Sequence, residues 1–502
     1  MLSLVYPSYL KTPLTSAYSA MRSMIYEDEV DELPTPLFAG KPIISFPEPE
    51  EMEVSIFDAA PAFPTSTVVP EDEVEVVDPT PLFSKRVGQW EPGAIRSLLP
   101  LEAIPGMISL VAGKPNPETF PFSKIEISLK ESHQKIVLEE NVLRDALQYG
   151  LPGGAAEFTQ WFEGLQKRVH GLGSSSGWGC CVGNGSQELL HKAFQVFTDP
   201  GDPVLIETPA YPGVSGFLRA DKHHLAEITS DSDGIDPAIL EKTLNEWPAD
   251  KRRPTVLYTI PTGSNPTGRS ISEVRKREVL RLAKKFNFMI FEDDAYYFIN
   301  FEQDQSKRAR SYLSLEREVN GETGRVIRFD SLSKIVSSGM RLGIVTGPLP
   351  AVQKIIKITE NINLQPSSTT QLLALSLFRH WGHSGFLRHC ARAANFYKGQ
   401  RDAFAKAAEK HLKGKAQWDV PTAGMFFWLT LNLPEGKDTF ELLSTKGMEA
   451  KILAIPGVAF MPNPVKTQQL RLSYSLVTHE QMDEACRRIA LLVDAAWRDV
   501  KA

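Results

Sequence analysis

The stretch RVIRFDSLSKIVSSGMRLGIVTG, residues 325–347, decides how the rest of the chain is read. Two short β-type runs, Arg325–Phe329 and Leu342–Thr346, flank a loop dense in Ser and Gly. It holds Asp330, Ser331, Ser333, Lys334, Ser337, Ser338 and Gly339, with Arg341 seven residues after the lysine. A lysine walled by apolar strands is costly to bury charged. That cost disappears where its amine is condensed with an aldehyde as a Schiff base. The hydroxyls and the arginine supply what a phosphate monoester needs, donors and a permanent cation. An aldehyde and a phosphate on one small molecule describe pyridoxal phosphate. Taken alone, the stretch also reads as a polar loop with a surface lysine.

Working back from this loop, the strand-like run Phe286–Phe291 ends in Glu292-Asp293-Asp294-Ala295-Tyr296-Tyr297. Three acids in a row at the edge of an apolar strand are expensive unless something positive meets them. A protonated pyridine nitrogen would serve, with a nearby tyrosine on the neighbouring ring hydroxyl. Before it, the run Thr255–Ile260 leads into PTGSNPTG, where Pro266 keeps Asn265 extended and its amide turned out of the loop. Earlier still, Gly183-Asn184-Gly185-Ser186-Gln187 precedes an apolar helix pattern, and Ser186 sits where an N-cap belongs. Helix N–H groups there are free to bind an anion. Pro200-Gly201-Asp202 then turns the chain into a strand over Val204–Ile206 that ends at Pro209-Ala210-Tyr211-Pro212. Strands followed by helices indicate a mainly parallel sheet with ligands at the C-terminal strand ends.

The segment 84–122 holds a short helix around Ile95, a β-type run Met107–Val111 and a Gly/Pro loop; Arg96 and Gly113-Lys114-Pro115 either face a substrate or form a surface helix and turn. Tyr149-Gly150 and Gly153-Gly154 make a tight loop ahead of an amphipathic helix. Near the C-terminus, Arg471 stands on the alternating run Leu470–Tyr474, a position that becomes functional when a substrate carboxylate pairs with it in fork geometry.

A chain of 502 residues, 42% apolar and 23% charged, has the composition of a soluble globular protein with more than one domain. Its four cysteines, Cys180, Cys181, Cys390 and Cys486, have no metal-ligand spacing, and we expect a reducing compartment and no metal. No apolar run approaches the length of a membrane span. The net charge of −6 divides unevenly: residues 1–80 hold 15 acids against Lys11, Arg22 and Lys41, a balance of −12. That acidic, Pro-rich leader has the composition of a disordered or loosely attached extension. It argues against a basic DNA-binding head. Residues 1–24, free of acids, weakly resemble an organelle-targeting segment, so the expected location is cytoplasmic with mitochondrial as the alternative.

Taken together, GNGSQ, PAYPG, NPTG, DDAYY, SLSK followed by Arg341, PGVAF and RLSYS resemble, in order, the motifs of the fold-type I, pyridoxal-phosphate aminotransferases of class I/II. Within that family the chain resembles the fungal aromatic and kynurenine/2-aminoadipate group, over residues 84 to 495. The resemblance implies an α/β large domain with a mainly parallel, seven-stranded type of sheet flanked by helices, and a smaller α+β domain. The domains expected are an extension over 1–80, an arm and part of the small domain over 81–145, the cofactor-binding domain over 146–365, and the small domain over 366–502. It further implies that Lys334 carries the cofactor covalently and shuttles a proton, and that Asp294, three residues before Tyr297, pairs with the ring nitrogen in preference to Asp293. Tyr297 and Asn265 would bond the ring hydroxyl, and Tyr211 would stack on the ring. Ser186, Gln187, Ser331, Ser333 and Arg341 would hold the phosphate, and Arg471 the substrate carboxylate. Tyr149 would reach into a partner's site in a homodimer, and Arg96 and Gly113 would lie near the side-chain pocket. Where relatives often read Gly-Gly-Leu-Pro, this chain has Ala112-Gly113-Lys114-Pro115, which opens the substrate assignment. The expected reaction is transamination between an amino acid, first an aromatic one and second kynurenine or 2-aminoadipate, and a 2-oxo acid such as 2-oxoglutarate. C–S lyases and decarboxylases share the fold.

Overall fold

Apolar runs bounded by turn residues become strands, and the runs between them with helical period become the covering helices. The computed structural model describes residues 74–91, 93–130, 132–173, 177–302 and 304–501. Strands β1 (Trp178–Gly183), β2 (Pro203–Thr208), β3 (His224–Asp231), β4 (Gly234–Ile235), β5 (Val256–Thr259), β6 (Met289–Asp293), β7 (Val326–Ser331) and β8 (Gly343–Pro348) form one sheet in the order β1-β8-β7-β6-β5-β2-β3-β4. Strands β7, β6, β5, β2 and β3 run parallel; β8 is antiparallel to both its neighbours. This is the expected α/β sheet of seven strands, with the two-residue β4 folded back on β3 as an addition.

The helices that matter for the site are α1 (Ala156–His170), α2 (Ser186–Phe197), α3 (Pro212–Ala220), α4 (Pro237–Asn245), α5 (Glu273–Phe286), α6 (Tyr312–Asn320), α7 (Leu349–Ile362), α8 (Ser368–Leu412) and α9 (His479–Lys501). Every residue of β2, β5, β6 and β7 is buried, as expected of parallel strands covered on both faces. Alternation sends Phe291, Ile327, Phe329 and Tyr258 into a core shared with α1, α2 and α7, while Leu205, Leu257, Ile290 and Val326 pack with α4, α5 and α6. A second sheet, β9 (Ala416–Trp418), β10 (Phe426–Leu431), β11 (Ile455–Pro456) and β12 (Gln469–Ser473), is antiparallel throughout in the order β9-β10-β12-β11. Phe427 of β10 packs on Phe404 of α8 with ring centroids 4.6 Å apart. Helix α8 is bent at Gly382, whose φ of 60° and ψ of 176° are not helical.

Two expectations change. The acidic leader, 1–80, lies outside the described residues up to position 73. Its described end is laid along the body: Glu75–Val76 pairs in parallel with Glu322–Thr323, and Val77 N–H donates to Thr323 O. The run Met107–Val111, expected as a strand, forms none, because among the described residues it has no neighbouring strand to pair with; Ile108 and Leu110 stand 85% and 95% exposed.

One side chain in the sheet demands explanation. Arg328 of β7 is fully buried and heads the largest fully buried side chains. It donates to Asp294 Oδ2 at 2.8 Å and to Asp330 Oδ1 at 2.9 Å, and lies 3.4 Å from Glu292 Oε2. Most of the remaining acceptors are also used, Asp294 Oδ1 being buried without a partner. Glu292 takes the first backbone N–H groups of α6, Tyr312 at 2.7 Å and Leu313 at 3.3 Å, and Asp330 takes Gln166 Nε2 at 2.8 Å. A buried charge that loses its partner costs more than the pair contributes. Replacing Arg328 with Met therefore strands three carboxylates inside the sheet. The expected outcome is a loss of about 3–5 kcal/mol in stability, read by urea denaturation.

Candidate active site

The parallel strands deliver their C-terminal ends to a cavity of about 360 Å³, lined among others by Ser186, Gln187, Tyr211, Asn265, Asp293, Tyr296, Lys334, Arg341 and Arg471. A cavity of about 400 Å³ lies at the opposite ends of the strands, beside Trp178, Val326 and Pro348. It is lined by none of the residues expected at the cofactor or the substrate, and the chemistry belongs to the first.

One end of the cavity is a cup for an anion. Gly185, not Ser186, is the N-cap of α2, so Ser186 is the first helical residue; no side chain caps this end. The cap position has φ of 95°, which favours glycine, and a Cβ there would stand 2.3 Å from Arg341 Nη2. Uncapped N–H groups at a helix N-terminus attract anions. Facing them, Arg341 itself adopts a left-handed backbone, with φ of 52°. Its Nη1 donates to Ser333 Oγ and Ser338 O, and its Nη2 to Asn184 O, each at 3.2 Å. The guanidinium thus ties the loop after β7 to the loop after β1. Gly343 completes the seat, since a Cβ there would lie 2.4 Å from Ser186 N. Ser331 and Ser333 also line the cavity, so all five residues expected at the phosphate come together.

The carboxylate expected at the ring is corrected. Asp294 does not line the cavity: it is turned to Arg328 on the other side of the sheet. Tyr297, expected at the ring hydroxyl, goes with it and stacks on Arg328, Cζ 4.6 Å from the ring centre. Strand alternation is the cause. Glu292 and Asp294 share one face, leaving Asp293 on the other, where it accepts from Tyr258 Oη at 2.8 Å and lines the cavity. Tyr296, which also follows its aspartate by three residues, lines the cavity in place of Tyr297. Asp293 Oδ1 is buried and has no partner. Burial, followed by the neighbouring charges of Asp294 and Asp330, pushes its carboxyl up to about 7, against the hydrogen bond from Tyr258 and the cation of Lys334.

Between cup and carboxylate stands Lys334, on the single turn Leu332–Lys334 that follows β7. Burial and then the cations Arg341 and Arg471 lower its proton affinity. Tyr211, at the N-cap of α3, donates from its hydroxyl to Gln187 Oε1 at 3.1 Å. Gly213 leaves room for that ring: a Cβ there would approach it to 2.4 Å. Arg471 does not face solvent. Its Nη1 donates to Asn265 Oδ1 at 2.8 Å, its Cζ lies 4.3 Å from the Phe426 ring and 5.1 Å from Phe460, and its Nε is buried without a partner.

Besides Asp294 and Tyr297, three more expected residues stay outside this cavity. Tyr149 is exposed, Arg96 donates weakly to Gly150 O and Leu364 O, and Gly113 sits in an open loop with nothing within 4 Å of a built Cβ. Sequence reading passed over Tyr258, Ser338 and Phe426, and ranked Asp293 below Asp294. The signal that separates the two aspartates is Arg328, whose parity on β7 matches Glu292 through the register Arg328↔Glu292.

An uncapped helix end with an arginine, an amine of lowered proton affinity and an orphaned buried carboxylate oxygen fit a flat, phosphorylated, cationic ring bearing an aldehyde. The chain matches the family Aminotransferase class I and II over residues 127–489 and belongs to it. It is an aminotransferase, its substrates are amino and 2-oxo acids, and its cofactor is pyridoxal 5′-phosphate. It is 66% identical to Aminotransferase tdiD of Emericella nidulans, over 84% of this chain and 97% of that one. It is 38% identical to the mitochondrial kynurenine/alpha-aminoadipate aminotransferase of Bos taurus, over 80% and 96%. The crystal structure of the aromatic aminotransferase Aro9 of Candida albicans superposes with a TM-score of 0.75 at 25% identity, covering 85% of this chain and 99% of that one.

Gly185→Ala is expected to weaken pyridoxal phosphate binding about tenfold or more, the worth of a displaced hydrogen bond to a charged group, in a titration of the cofactor-free protein. A second expectation concerns pH. The folded state holds the Asp293 proton up to about 7, well above the ordinary value of 3.8, so its stabilising effect is lost as pH rises from about 4 through about 7. Asp293→Asn removes that loss. In the cofactor-free protein, the variant should gain stability relative to wild type between pH 5 and pH 8, measured by urea denaturation; Asp294→Asn, which deprives Arg328 of a partner, should instead lose stability at both.

Proposed function

We propose that this chain transfers the amino group of an aromatic amino acid to a 2-oxo acid such as 2-oxoglutarate, with kynurenine as a second donor. The observation that carries the reading is Arg471. Of the three cations lining the cavity, Arg341 belongs to the phosphate cup and Lys334 to the cofactor, which leaves one for the substrate. Arg471 has an unpartnered buried Nε and is held flat between Phe426 and Phe460, so it presents a fork for one carboxylate. The walls around it, Ile260, Tyr296, Phe426 and Tyr211, suit an uncharged, aromatic side chain. Lys114, the departure noted in the arm, is engaged 3.4 Å from Glu102, so its charge does not favour an acidic donor such as 2-aminoadipate.

When bound, the cofactor supplies the electron sink that makes the substrate Cα–H acidic. The protein supplies position and charge. Ser186, Gln187, Ser331, Ser333 and Arg341 hold the phosphate. Asp293 Oδ1 would accept from the ring nitrogen and keep it protonated; Tyr296 and Asn265 would take the ring hydroxyl, and Tyr211 would cover the ring. Arg471 fixes the substrate carboxylate. Lys334 would be the base: burial and the flanking cations Arg341 and Arg471 lower the proton affinity of its Nζ, which favours its taking and returning the substrate Cα proton. Alternation of the two half-reactions gives ping-pong kinetics.

A homodimer would complete the site. Ile104, Met107, Ile108, Leu110 and Tyr149 are large apolar or aromatic side chains left exposed, and a second copy covering them would bring Tyr149, Arg96 and Gly113 to its own cavity. No helix among the described residues is long and apolar enough to cross a membrane, and a cytoplasmic location is proposed, with mitochondrial as the alternative.

Lys334→Ala should lose turnover completely, and borohydride reduction should then leave no cofactor on the chain; activity in this variant would overturn the assignment. Arg471→Ala should raise KM for every amino donor, by about 10- to 100-fold for the loss of a charged hydrogen-bonded pair. A panel of donors, scored by loss of cofactor absorbance in a single half-reaction, should rank Trp, Tyr and Phe ahead of 2-aminoadipate. Release of thiol or CO₂ instead of a 2-oxo acid would point to a lyase or decarboxylase.

A further inference from the structure

We propose that Tyr258 is a positioning residue for this reaction, its hydroxyl fixing Asp293 so that Oδ1 alone is left to accept from a ligand in the cavity; this rests on the reading of Asp293 as the partner of the cofactor ring nitrogen. Tyr258 stands on β5, the strand between β2 and β6, in register with Ile206 on one side and Phe291 on the other. It is 1% exposed, and its ring packs against Phe194 of α2 at 6.3 Å between centroids. The ring is therefore held by the core while its hydroxyl reaches the cavity wall and donates to Asp293 Oδ2 at 2.8 Å. One carboxylate oxygen is occupied from below; the other, Oδ1, is buried and unpartnered. A carboxylate with one oxygen pinned cannot rotate its second oxygen out of line without breaking that bond.

The same bond acts on charge. Groups facing Asp293 are Tyr258 on β5, Asp330 on β7, Lys334 on the turn after β7, Tyr211 at the head of α3, and its chain neighbours Asp294 and Tyr296. Burial, Asp294 and Asp330 favour the neutral acid, and only Tyr258 and Lys334 oppose them. Of those two the Tyr258 hydrogen bond is the larger, so Tyr258 is the main group that favours the carboxylate before a ring arrives. Burial and the Asp293 charge hold the Tyr258 phenol far from ionisation, so it stays a donor throughout the working pH range.

The test uses the full-length protein as wild type, Tyr258→Phe, Asp293→Asn and the double variant, with the pyridoxal phosphate dissociation constant, kcat, KM and the titration midpoint of Asp293 in the folded, cofactor-free protein, read as the pH at which stability stops falling, as readouts. Tyr258→Phe keeps the ring and its packing. It should weaken pyridoxal phosphate about tenfold, the worth of a hydrogen bond to a charged group, and lower kcat while leaving the donor KM unchanged. The stability midpoint should move above the value of about 7 that Asp293 sets in the wild type. None of these changes should appear when the substitution is added to Asp293→Asn. Tyr312→Phe, which removes another buried hydroxyl but one without a partner, serves as the control and should leave every readout at wild type. Wild-type cofactor affinity and midpoint in Tyr258→Phe, effects that multiply with those of Asp293→Asn, or an equal loss in the control would each overturn the inference. Should Asp293→Asn alone bind cofactor and turn over as wild type, the assignment of Asp293 itself fails, a result separable from the others.

Discussion

The site depends on a guanidinium that never touches it. Arg328 gathers Glu292, Asp294 and Asp330 on one face of the sheet, with Gln166 and the first N–H groups of α6 taking the acceptors it leaves over. Without that cation the acidic end of β6 would be a repulsive cluster in a low-dielectric interior. With it, two of the three consecutive acids are neutralised on one face, and the third faces the opposite way, into the cavity, with no arginine beside it and one oxygen unpartnered. The asymmetry of neighbouring aspartates, one structural and one facing the chemistry, follows from period-two alternation and the position of a single arginine.

Around that carboxylate the site is preorganised. Both loops of the phosphate cup are joined by Arg341, Tyr211 is tied to Gln187, and Arg471 is flanked by two aromatic rings. These bonds exist in the protein alone, so binding spends little free energy on ordering side chains. Lys334 sits among three charged groups, two of which repel its proton. The lowered proton affinity and the geometry have one origin: the cations that bind phosphate and carboxylate are the same ones that make the lysine a base.

Much of this was legible in the chain. The lysine loop, the GNGSQ helix start and the NPTG turn were placed from residue type and order, Arg471 from the family resemblance, and the sheet from runs separated by turns. What was misread has physical reasons. In DDAYY the three-residue offset fits both Asp293–Tyr296 and Asp294–Tyr297, and only a cross-strand neighbour, Arg328, decides between them. A Gly-Ser pair at a helix start does not reveal which residue is the cap, because the answer lies in the approach of Arg341 to Gly185 from a loop more than 150 positions away. Met107–Val111 has strand composition, but its covering surface is not within the chain. Tyr149, Arg96 and Gly113 lie outside the chain's own cavity, and the place proposed for them is at the site of a second copy.

The close contacts of Gly185 with Arg341 and of Gly343 with Ser186 carry one more consequence. In each full cycle the covalent tether at Lys334 would be let go once and remade once. Over that interval the phosphate seat and the groups facing the ring would have to keep the coenzyme in place, and two of the closest approaches in that seat leave no space for a methyl group. Retention between the half-reactions would thus depend in part on two hydrogen atoms where other residues carry carbon.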